Sequence, residues 1–281
     1  MKRPVIGYIC DSVGLEREDK LFVKVAKEMG IDIVFFNASE YIDEKELEKK
    51  AKLCDIIFND TSMYITIEMT KTLEELGSRV IDPSKVYYYT EDKWLFYLKC
   101  KKNGIPTPET ILLPDKLDVV RTELGKFGHW PVILKRVYGE RGEFVRKADN
   151  VDEAIMKIKE LWEKGDERLP IIAQEYIKSD SYRVTVIGDK IVQTAVKKSH
   201  GWKATGCYAR RFRKFDVDDN LKKMVDKMLK ASGISICGID LLKKDDQWLM
   251  LEINAEPSFN FFNCDRESLV KDVLTFLKDQ I

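Results

Sequence analysis

The sequence predicts a parallel α/β domain followed by a largely antiparallel α+β region. From Val5 to Ile81, short apolar runs alternate with amphipathic stretches at the spacing of a strand–helix repeat. From Ile171 onward, apolar residues alternate with polar ones and tight turns interrupt them. Turns at Gly188-Asp189 and across Lys243–Gln247 predict two β-hairpins. The expected fold class is therefore mixed, α/β and then α+β.

The first region ends at a turn and lacks a dinucleotide-binding loop. Its predicted strands are Val5–Tyr8, Ile33–Phe36, Ile56–Phe58 and Val80–Ile81, with helices near Glu18–Met29, Asp43–Cys54 and Thr66–Leu76. After the first strand, Cys10-Asp11-Ser12-Val13-Gly14 does not fit the GxGxxG pattern of a dinucleotide domain. Asp82-Pro83-Ser84 then marks a boundary.

The remaining elements divide the chain into two further segments. Thr90 and Glu91 are expected to cap a helix that runs to about Asn103. The next predicted strands are Thr110–Leu113, Val132–Arg136 and Glu143–Arg146, with helices near Val119–Phe127 and Asp152–Glu163. The hairpins are Ser181–Ile187 with Ile191–Lys198 and Ile236–Leu242 with Trp248–Asn254, separated by a helix near Asp218–Ala231 and followed by a terminal helix. We expect domains at 1–88, 89–174 and 175–281.

Composition limits the classes of function. Lysine plus arginine and aspartate plus glutamate number 48 each, so a nucleic acid is not expected as the main partner. No apolar run approaches the roughly 18 residues of a membrane span, and the first apolar run is too short for the core of a signal peptide. We therefore expect a cytoplasmic protein with no membrane partner. Only His129 and His200 are present, so carboxylates, lysines and a metal would have to carry any catalysis.

Three oxygen-bearing side chains are predicted to converge in the second hairpin. Period-two alternation places Glu252 and Asn254 on one face of their strand. The expected partner strand carries Asp240 within an apolar run. Magnesium prefers oxygen ligands and keeps phosphate oxygens in its shell, so this set indicates a nucleotide site. Ion pairs with nearby lysines would produce the same pattern.

Two other segments could contact a nucleotide. Lys135 near the end of a strand is followed by Gly139 and Gly142, whose backbone could approach phosphates closely. An ordinary hairpin turn would look the same. The apolar strand ending in Gln174-Glu175-Tyr176-Ile177 could present backbone groups to an adenine edge, and Glu175 could accept a ribose hydroxyl. A capped strand end is the alternative.

In their order along the chain, these segments resemble the ATP-grasp superfamily, and within it the RimK-like and LysX-like amino-acid ligases. The resemblance also uses Thr90-Glu91-Asp92-Lys93, Ile105-Pro106-Thr107-Pro108 and Tyr182-Arg183-Val184. It implies that Lys93 and Lys135 bind ATP phosphates under the loop from Gly139 to Gly142, and that Glu175 and Ile177 hold the nucleoside. It also implies that Asp240, Glu252 and Asn254 bind two magnesium ions, with manganese as a substitute. Arg183 would face the acyl phosphate and, together with Lys135, neutralise the charge that develops during catalysis. Lys198 and Arg210 would be further anion contacts.

The resemblance further implies an N-terminal pre-ATP-grasp domain and an ATP site between two α+β subdomains. The implied reaction joins a carboxylate on a small molecule, peptide or carrier protein to an amine, with an amino acid such as glutamate as the expected amine. Oligomers are common in the family, so a homo-oligomer is one expectation.

Departures from the family pattern lie on the acceptor side. Ser181 stands where RimK-like enzymes usually carry Asp, and the segment 201–211 lacks the family's Asn and Gly-Gly. Ala255-Glu256-Pro257 replaces Ser-Pro-Gly. Two other functions stay open from the residues: a kinase of the same fold that phosphorylates a hydroxyl, and a nucleotide-binding regulator without turnover.

Overall fold

A computed structural model of the chain describes residues 3–11, 16–40, 43–139, 142–164, 168–198, 201–203, 212–257, 259 and 261–281. The first part forms a parallel sheet in the order β2-β1-β3-β4. Its strands are mostly buried apolar runs, as expected for a parallel sheet covered on both faces. The elements are β1 (Val5–Cys10), α1 (Arg17–Glu28), β2 (Asp32–Asn37), α2 (Glu44–Ala51), β3 (Ile56–Asn59), α3 (Tyr64–Glu75) and β4 (Val80–Ile81).

The second part forms an antiparallel sheet in the order β5-β8-β6-β7. After a 3-10 turn at Ser84–Val86, its elements are α4 (Tyr87–Thr90), α5 (Lys93–Lys102), β5 (Thr110–Leu112), α6 (Leu117–Phe127), β6 (Val132–Arg136), β7 (Val145–Ala148), α7 (Val151–Glu163) and β8 (Ile171–Glu175). The cap of α5 is Asp92, whose carboxylate accepts from the Leu95 backbone, and not Thr90 or Glu91 as expected. Thr90 instead ends the short helix α4, a turn that the sequence pattern did not separate from α5.

The third part is a second antiparallel sheet in the order β10-β9-β11-β12. Its elements are β9 (Ser181–Ile187), β10 (Lys190–Lys197), α8 (Asp219–Ser232), β11 (Ile236–Lys244), β12 (Gln247–Asn254) and α9 (Arg266–Lys278). Asp245 and Asp246, both at positive φ, form the two-residue turn between β11 and β12. Helix α8 buries one apolar face against this sheet.

The end of the chain packs on its beginning. Helix α9 lies against α1, and one apolar core combines Val273 and Leu277 of α9 with Ile6 of β1. The same core includes Ile187 of β9 and Ile236 of β11. The first and third sheets therefore share one hydrophobic core.

Asp82 adds a polar contact at this junction. Its carboxylate accepts the backbone N–H groups of Ser235 at 2.8 Å and Ile236 at 2.9 Å. Burial nevertheless raises the pKa of Asp82 to about 6, while these hydrogen bonds oppose the shift. The boundary predicted at Asp82-Pro83-Ser84 is thus a tightly packed junction.

The predicted fold class is confirmed, because a parallel sheet is followed by two antiparallel sheets. The domain boundaries stay a prediction, and the core that α9 shares with β1 joins residues on both sides of them. Among the described residues, no helix combines the length and apolar character needed to cross a bilayer.

Candidate active site

A cleft of about 540 Å³ lies between the two antiparallel sheets. Most of the predicted site residues line it. They are Lys93, Lys135, Gly139, Gly142, Gln174, Glu175, Tyr176, Ile177, Arg183, Asp240, Glu252 and Asn254. Lys198 is exposed and is not among the lining residues, whereas Arg210 lies outside the described residues.

The oxygen-bearing side chains of two neighbouring strands meet an arginine of a third strand at one end of this cleft. Asp240 on β11 lies opposite Glu252 on β12 and opposite Arg183 on β9. Asp240 Oδ2 accepts hydrogen bonds from Arg183 Nη1 at 3.1 Å and Asn254 Nδ2 at 3.2 Å. Burial raises the pKa of Asp240 and Glu252 adds to this, while Arg183 and Asn254 lower it. A cation bound here would favour the ionised carboxylates.

A β-bulge brings these groups into the cleft. The β11–β12 register shifts between Asp240 and Leu241, so Leu251 is the additional residue on β12. Met250, which precedes the bulge, and Ile253, which follows it, both pack in the core. Leu251, Glu252 and Asn254 consequently line the cleft. Simple alternation would have placed Met250 on the same face as Glu252.

A glycine makes room for Arg183. A β-carbon built on Gly238 would lie 2.1 Å from Arg183 Nη2, so the guanidinium rests directly on the backbone of β11. Arg183 Nη2 also donates to the Glu256 carbonyl at 3.4 Å. Arg183 Nε is buried and has no hydrogen-bond partner among the described residues. Of the five guanidinium N–H groups, two take part in these hydrogen bonds, so the Nη groups keep further donors for an anion in the cleft.

Two lysines approach these groups, Lys93 from α5 and Lys135 from β6. Lys93 begins α5, and its ammonium donates to the Gly139 carbonyl at 2.7 Å and lies 4.0 Å from Glu252 Oε1. Lys135 on β6 donates to Gln174 Oε1 at 2.8 Å. Its enclosed position lowers the pKa of Lys135 to about 8; Lys93 adds to this shift, and Glu252 and Asp240 oppose it. An anion between the two ammonium groups would relieve their mutual repulsion.

Gln174 holds Lys135 in place. Its amide Nε2 donates to Thr110 Oγ1 at 3.0 Å, and the Thr110 hydroxyl donates to the Pro108 carbonyl at 2.9 Å. The Gln174 side chain is 6% exposed. Gln174 therefore positions the lysine, in addition to lining the cleft.

The predicted glycine loop lies beside these lysines. Gly139 has φ of 136° and Gly142 has φ of 68°, conformations that disfavour other residues. A β-carbon on Gly139 would lie 2.9 Å from the ring of Phe144, which also lines the cleft. Lys203 donates to the Gly142 carbonyl at 3.2 Å. Residues 140 and 141, between the glycines, are outside the described part of the chain.

The other end of the cleft is apolar. Ile177 packs with Leu242, Leu249 and Leu251 in a small cluster. Glu175, at the end of β8, accepts from Lys244 at the edge of this cluster. An apolar slot beside a carboxylate and strand-end backbone is suited to a purine base and its ribose.

Several lining residues were not predicted. Lys197 lines the cleft because it shares a strand face with Ala195, whereas Lys198 does not. Knowing which face of β10 lines the cleft would have distinguished the two lysines, but the sequence does not determine that face. Other unpredicted lining residues include Ser62, Tyr138, Phe144, Trp202, Lys203, Phe212, Glu256 and Phe261.

The donor set fits magnesium when phosphate oxygens complete the shell. Among the described residues, no group of three or more His, Cys, Asp or Glu side chains could hold a metal by itself. Asp240, Glu252 and Asn254 supply two carboxylates and an amide at the end of the cleft that the lysines face. Magnesium is commonly bound by one or two carboxylates together with substrate phosphates.

A cleft between two antiparallel sheets, in which two lysines face these oxygen donors, defines an ATP-grasp enzyme. The fold agrees. A RimK domain ATP-grasp protein from Sphaerobacter thermophilus superposes with a TM-score of 0.75 at 14% identity, covering 98% of this chain and 99% of that one. The D-alanine–D-alanine ligase of Bacillus anthracis complexed with ATP superposes with a TM-score of 0.72 at 18% identity, covering 98% and 96%.

Residues 90–272 match the RimK-like ATP-grasp domain, and the chain belongs to that family. Alpha-aminoadipate–LysW ligase LysX of Saccharolobus solfataricus is 25% identical over 277 residues, covering 92% of this chain and 94% of that protein. Coenzyme gamma-F420-2:alpha-L-glutamate ligase of Methanocaldococcus jannaschii is 28% identical over 213 residues, covering 73% and 71%. ATP-dependent carboxylate–amine ligation is accordingly the activity class of this chain, with the ATP and magnesium that the family uses.

Proposed function

We propose that the chain activates a substrate carboxylate as an acyl phosphate and transfers the acyl group to an amine. The carboxylate oxygen attacks the γ-phosphorus of ATP, and ADP leaves. The amine, after losing one proton, forms a C–N bond to the acyl carbon as the C–O bond to phosphate breaks, and loses a second proton. The products are an amide, ADP and phosphate.

The observation that carries this proposal is the pairing of Arg183 with Asp240 at the oxygen-rich end of the cleft. A guanidinium beside magnesium-type ligands places a fixed positive charge where an acyl phosphate would develop negative charge. Its remaining Nη donors and its position directly over the Gly238 backbone suit it to bind an anion. A simple nucleotide-binding regulator would not need this group.

The other residues take roles around it. Lys93 and Lys135 bind the ATP phosphates, and the loop from Gly139 to Gly142 covers them. Glu175 and Ile177 hold the nucleoside. Lys197, which lines the cleft, is a better candidate anion contact than the exposed Lys198.

Asp240, Glu252 and Asn254 would hold two magnesium ions, with manganese as a substitute. When bound, magnesium offsets phosphate charge and polarises the γ-phosphate. The Asp240 carboxylate keeps its orientation through the Arg183 and Asn254 hydrogen bonds.

The acid is expected on a small molecule, peptide or carrier protein, and the amine in the amino-acid class. The names of several relatives support both, since they include a LysW ligase and glutamate ligases. A homo-oligomer stays a prediction, which sedimentation of the purified chain would test.

The experiment is phosphate release from ATP and magnesium with pooled acids and amines. Release that requires both an acid and an amine supports the ligase. Release without an amine, together with a phosphorylated product, would instead identify a kinase. ATP binding with no turnover across the screen would favour a regulator.

Replacing Arg183 tests its role directly. Arg183→Lys keeps the charge but loses the planar fork, so turnover should fall about a hundredfold, or about 2.7 kcal/mol, while ATP binding persists. Arg121→Lys, at a surface pair with Asp152 outside the cleft, is the matched control. A loss below threefold in Arg183→Lys would contradict the assignment.

A further inference from the structure

A second cavity of about 500 Å³ lies where the first sheet meets α9. Its walls include Cys10 and Asp11 at the end of β1, and Asp60 and Thr61 just after β3. In the order β2-β1-β3-β4, the chain adds β2 on one side of β1 and then adds β3 and β4 on the other side. The strand order therefore reverses between β1 and β3. Open parallel sheets bind ligands in the crevice at the carboxyl ends of such a pair. The position of this cavity therefore indicates a ligand site.

The second cavity borders the reacting end of the ATP cleft. Ser62 and Glu256 line both spaces, and Ser62 Oγ donates to Glu256 Oε2 at 3.3 Å. The Glu256 carbonyl accepts from Arg183 on the other side. A molecule in the second cavity would thus lie next to the group that we propose binds the acyl phosphate.

The lining of this cavity is strongly acidic. Six carboxylate side chains contribute to it: Asp11, Glu16, Glu18, Asp19, Asp60 and Glu256. Among the described lining residues the cationic side chain is that of Arg266, which pairs with Glu18 at 3.2 Å. The potential inside the cavity attracts cations and repels a dicarboxylate.

One contact shows how closely negative charge is crowded. The Tyr8 hydroxyl lies 2.9 Å from Asp19 Oδ1 and 3.0 Å from Asp60 Oδ2, but it carries a single proton to donate. Burial raises the pKa of Asp60 to about 7, and Glu256, Asp19 and Glu18 add to this shift. A cation beside Asp60 would stabilise its ionised form.

The arrangement suits an organic cation better than a metal ion. Among the described residues, no group of three or more His, Cys, Asp or Glu side chains could hold a metal ion here by itself. Phe22, Phe58 and Val273 provide apolar wall between the carboxylates. Such a surface fits an alkyl chain that ends in an ammonium group.

We infer that this cavity binds the amine substrate of the ligase, and that the amine carries a second positive charge, as in a basic amino acid or a diamine. This inference rests on the proposed function and makes it more specific. One ammonium group is held by the acidic cavity, and the nitrogen that becomes the amide lies near Glu256 and Arg183. Glutamate, which the names of several relatives include, would bring two carboxylates to the same walls.

The test is calorimetric binding to the full chain with ADP and magnesium present. Lysine and norleucine are the decisive probes, because they share a carbon skeleton and differ in the terminal ammonium group. We expect lysine to bind at least tenfold more tightly than norleucine or glutamate. Asp60→Asn and Glu18→Gln should each weaken lysine binding about tenfold, whereas Glu28→Gln, on the same helix as Glu18 but outside the cavity lining, should not.

Each outcome decides the inference separately from the ligase function. Equal binding of lysine and norleucine, tighter binding of glutamate, or no amine binding at millimolar concentration would overturn it. Magnesium alone bound with the same dependence on Asp60 and Glu18 would overturn it in favour of a metal site. Lysine binding that depends on both carboxylates, in a protein without amine-dependent phosphate release, would support the cavity and reject the ligase.

Discussion

Alanine at position 238 would place a methyl group where the Arg183 guanidinium now lies. The nearest approach of the added carbon would be 2.1 Å, to Arg183 Nη2. An ordinary contact is about 3.5 Å, so the guanidinium would have to move by roughly 1.4 Å. The atoms in the way belong to the end of a flexible side chain, so the backbone of β11 can stay in place.

The expected effect is therefore large on turnover and small on stability. A displacement of about 1 Å at a positioned catalytic group can cost about a hundredfold in rate, or about 2.7 kcal/mol. Gly238 lies in a strand and has no positive φ, so alanine is compatible with its backbone. Weakening the Arg183–Asp240 pair should cost about 1 kcal/mol, which is about 3 °C in Tm for a chain of this size.

The assay measures kcat, the KM of ATP and Tm in parallel. Gly125→Ala is the matched control, because its added carbon meets nothing within 4 Å. We expect kcat to fall about a hundredfold in Gly238→Ala only, with the KM of ATP little changed. Wild-type kcat in a folded Gly238→Ala protein would refute the argument that Arg183 must rest on this glycine to act.

Two further predictions concern titration. The affinity for ATP should weaken as pH rises through about 8, because the Lys135 ammonium, whose pKa is lowered to about 8, then loses its charge; Lys135→Met should bind more weakly with a flatter pH profile, and a pH-independent wild-type Kd would contradict this. Asp60→Asn should stabilise the ligand-free protein more at pH 8 than at pH 5. The folded pKa of about 7 exceeds the ordinary 3.8, so the folded state keeps a proton that the unfolded state loses, and wild-type stability falls as pH rises through this window. Between pH 5 and pH 7, Asp60 can lower the wild-type free energy of unfolding by at most about 3 kcal/mol. Because the cavity admits water, we expect a decrease of about 1–2 kcal/mol, measured by chemical denaturation. An equal effect of Asp60→Asn on stability at both pH values would contradict this prediction.

Local pattern was sufficient to predict most of the elements. The strand expected at Val132–Arg136 has the same bounds as β6, because an apolar run between turn residues marks both ends. The hairpin strand expected at Ser181–Ile187 likewise matches β9. The strand expected at Glu143–Arg146 instead spans Val145–Ala148, since the residues after Gly142 form turns before pairing begins.

The site was predictable where a family pattern marked it and not where packing determined it. Asp240 and Glu252 occur within recognisable segments, and the structure brings them opposite one another. Gly238 gave no signal in the sequence. Its role is to leave space for the guanidinium of Arg183, which lies more than 50 residues earlier in the chain. The bulge at Leu251 was equally hidden, since period two describes only a regular ladder.

The second cavity could not have been predicted from local sequence, because its walls come from both ends of the chain. Its acidic residues are scattered over the end of β1, the start of α1, the end of β3 and the segment before α9, and each one alone resembles a solvated surface charge. The core shared by Ile6, Ile187 and Val273 fixes those walls relative to β9, the strand that carries Arg183. The distance from the acidic cavity to the acyl-phosphate position is thereby set by packed sheets and a helix. Selection of the amine then depends on a rigid surface, and a substitution in this shared core should alter amine affinity and stability together.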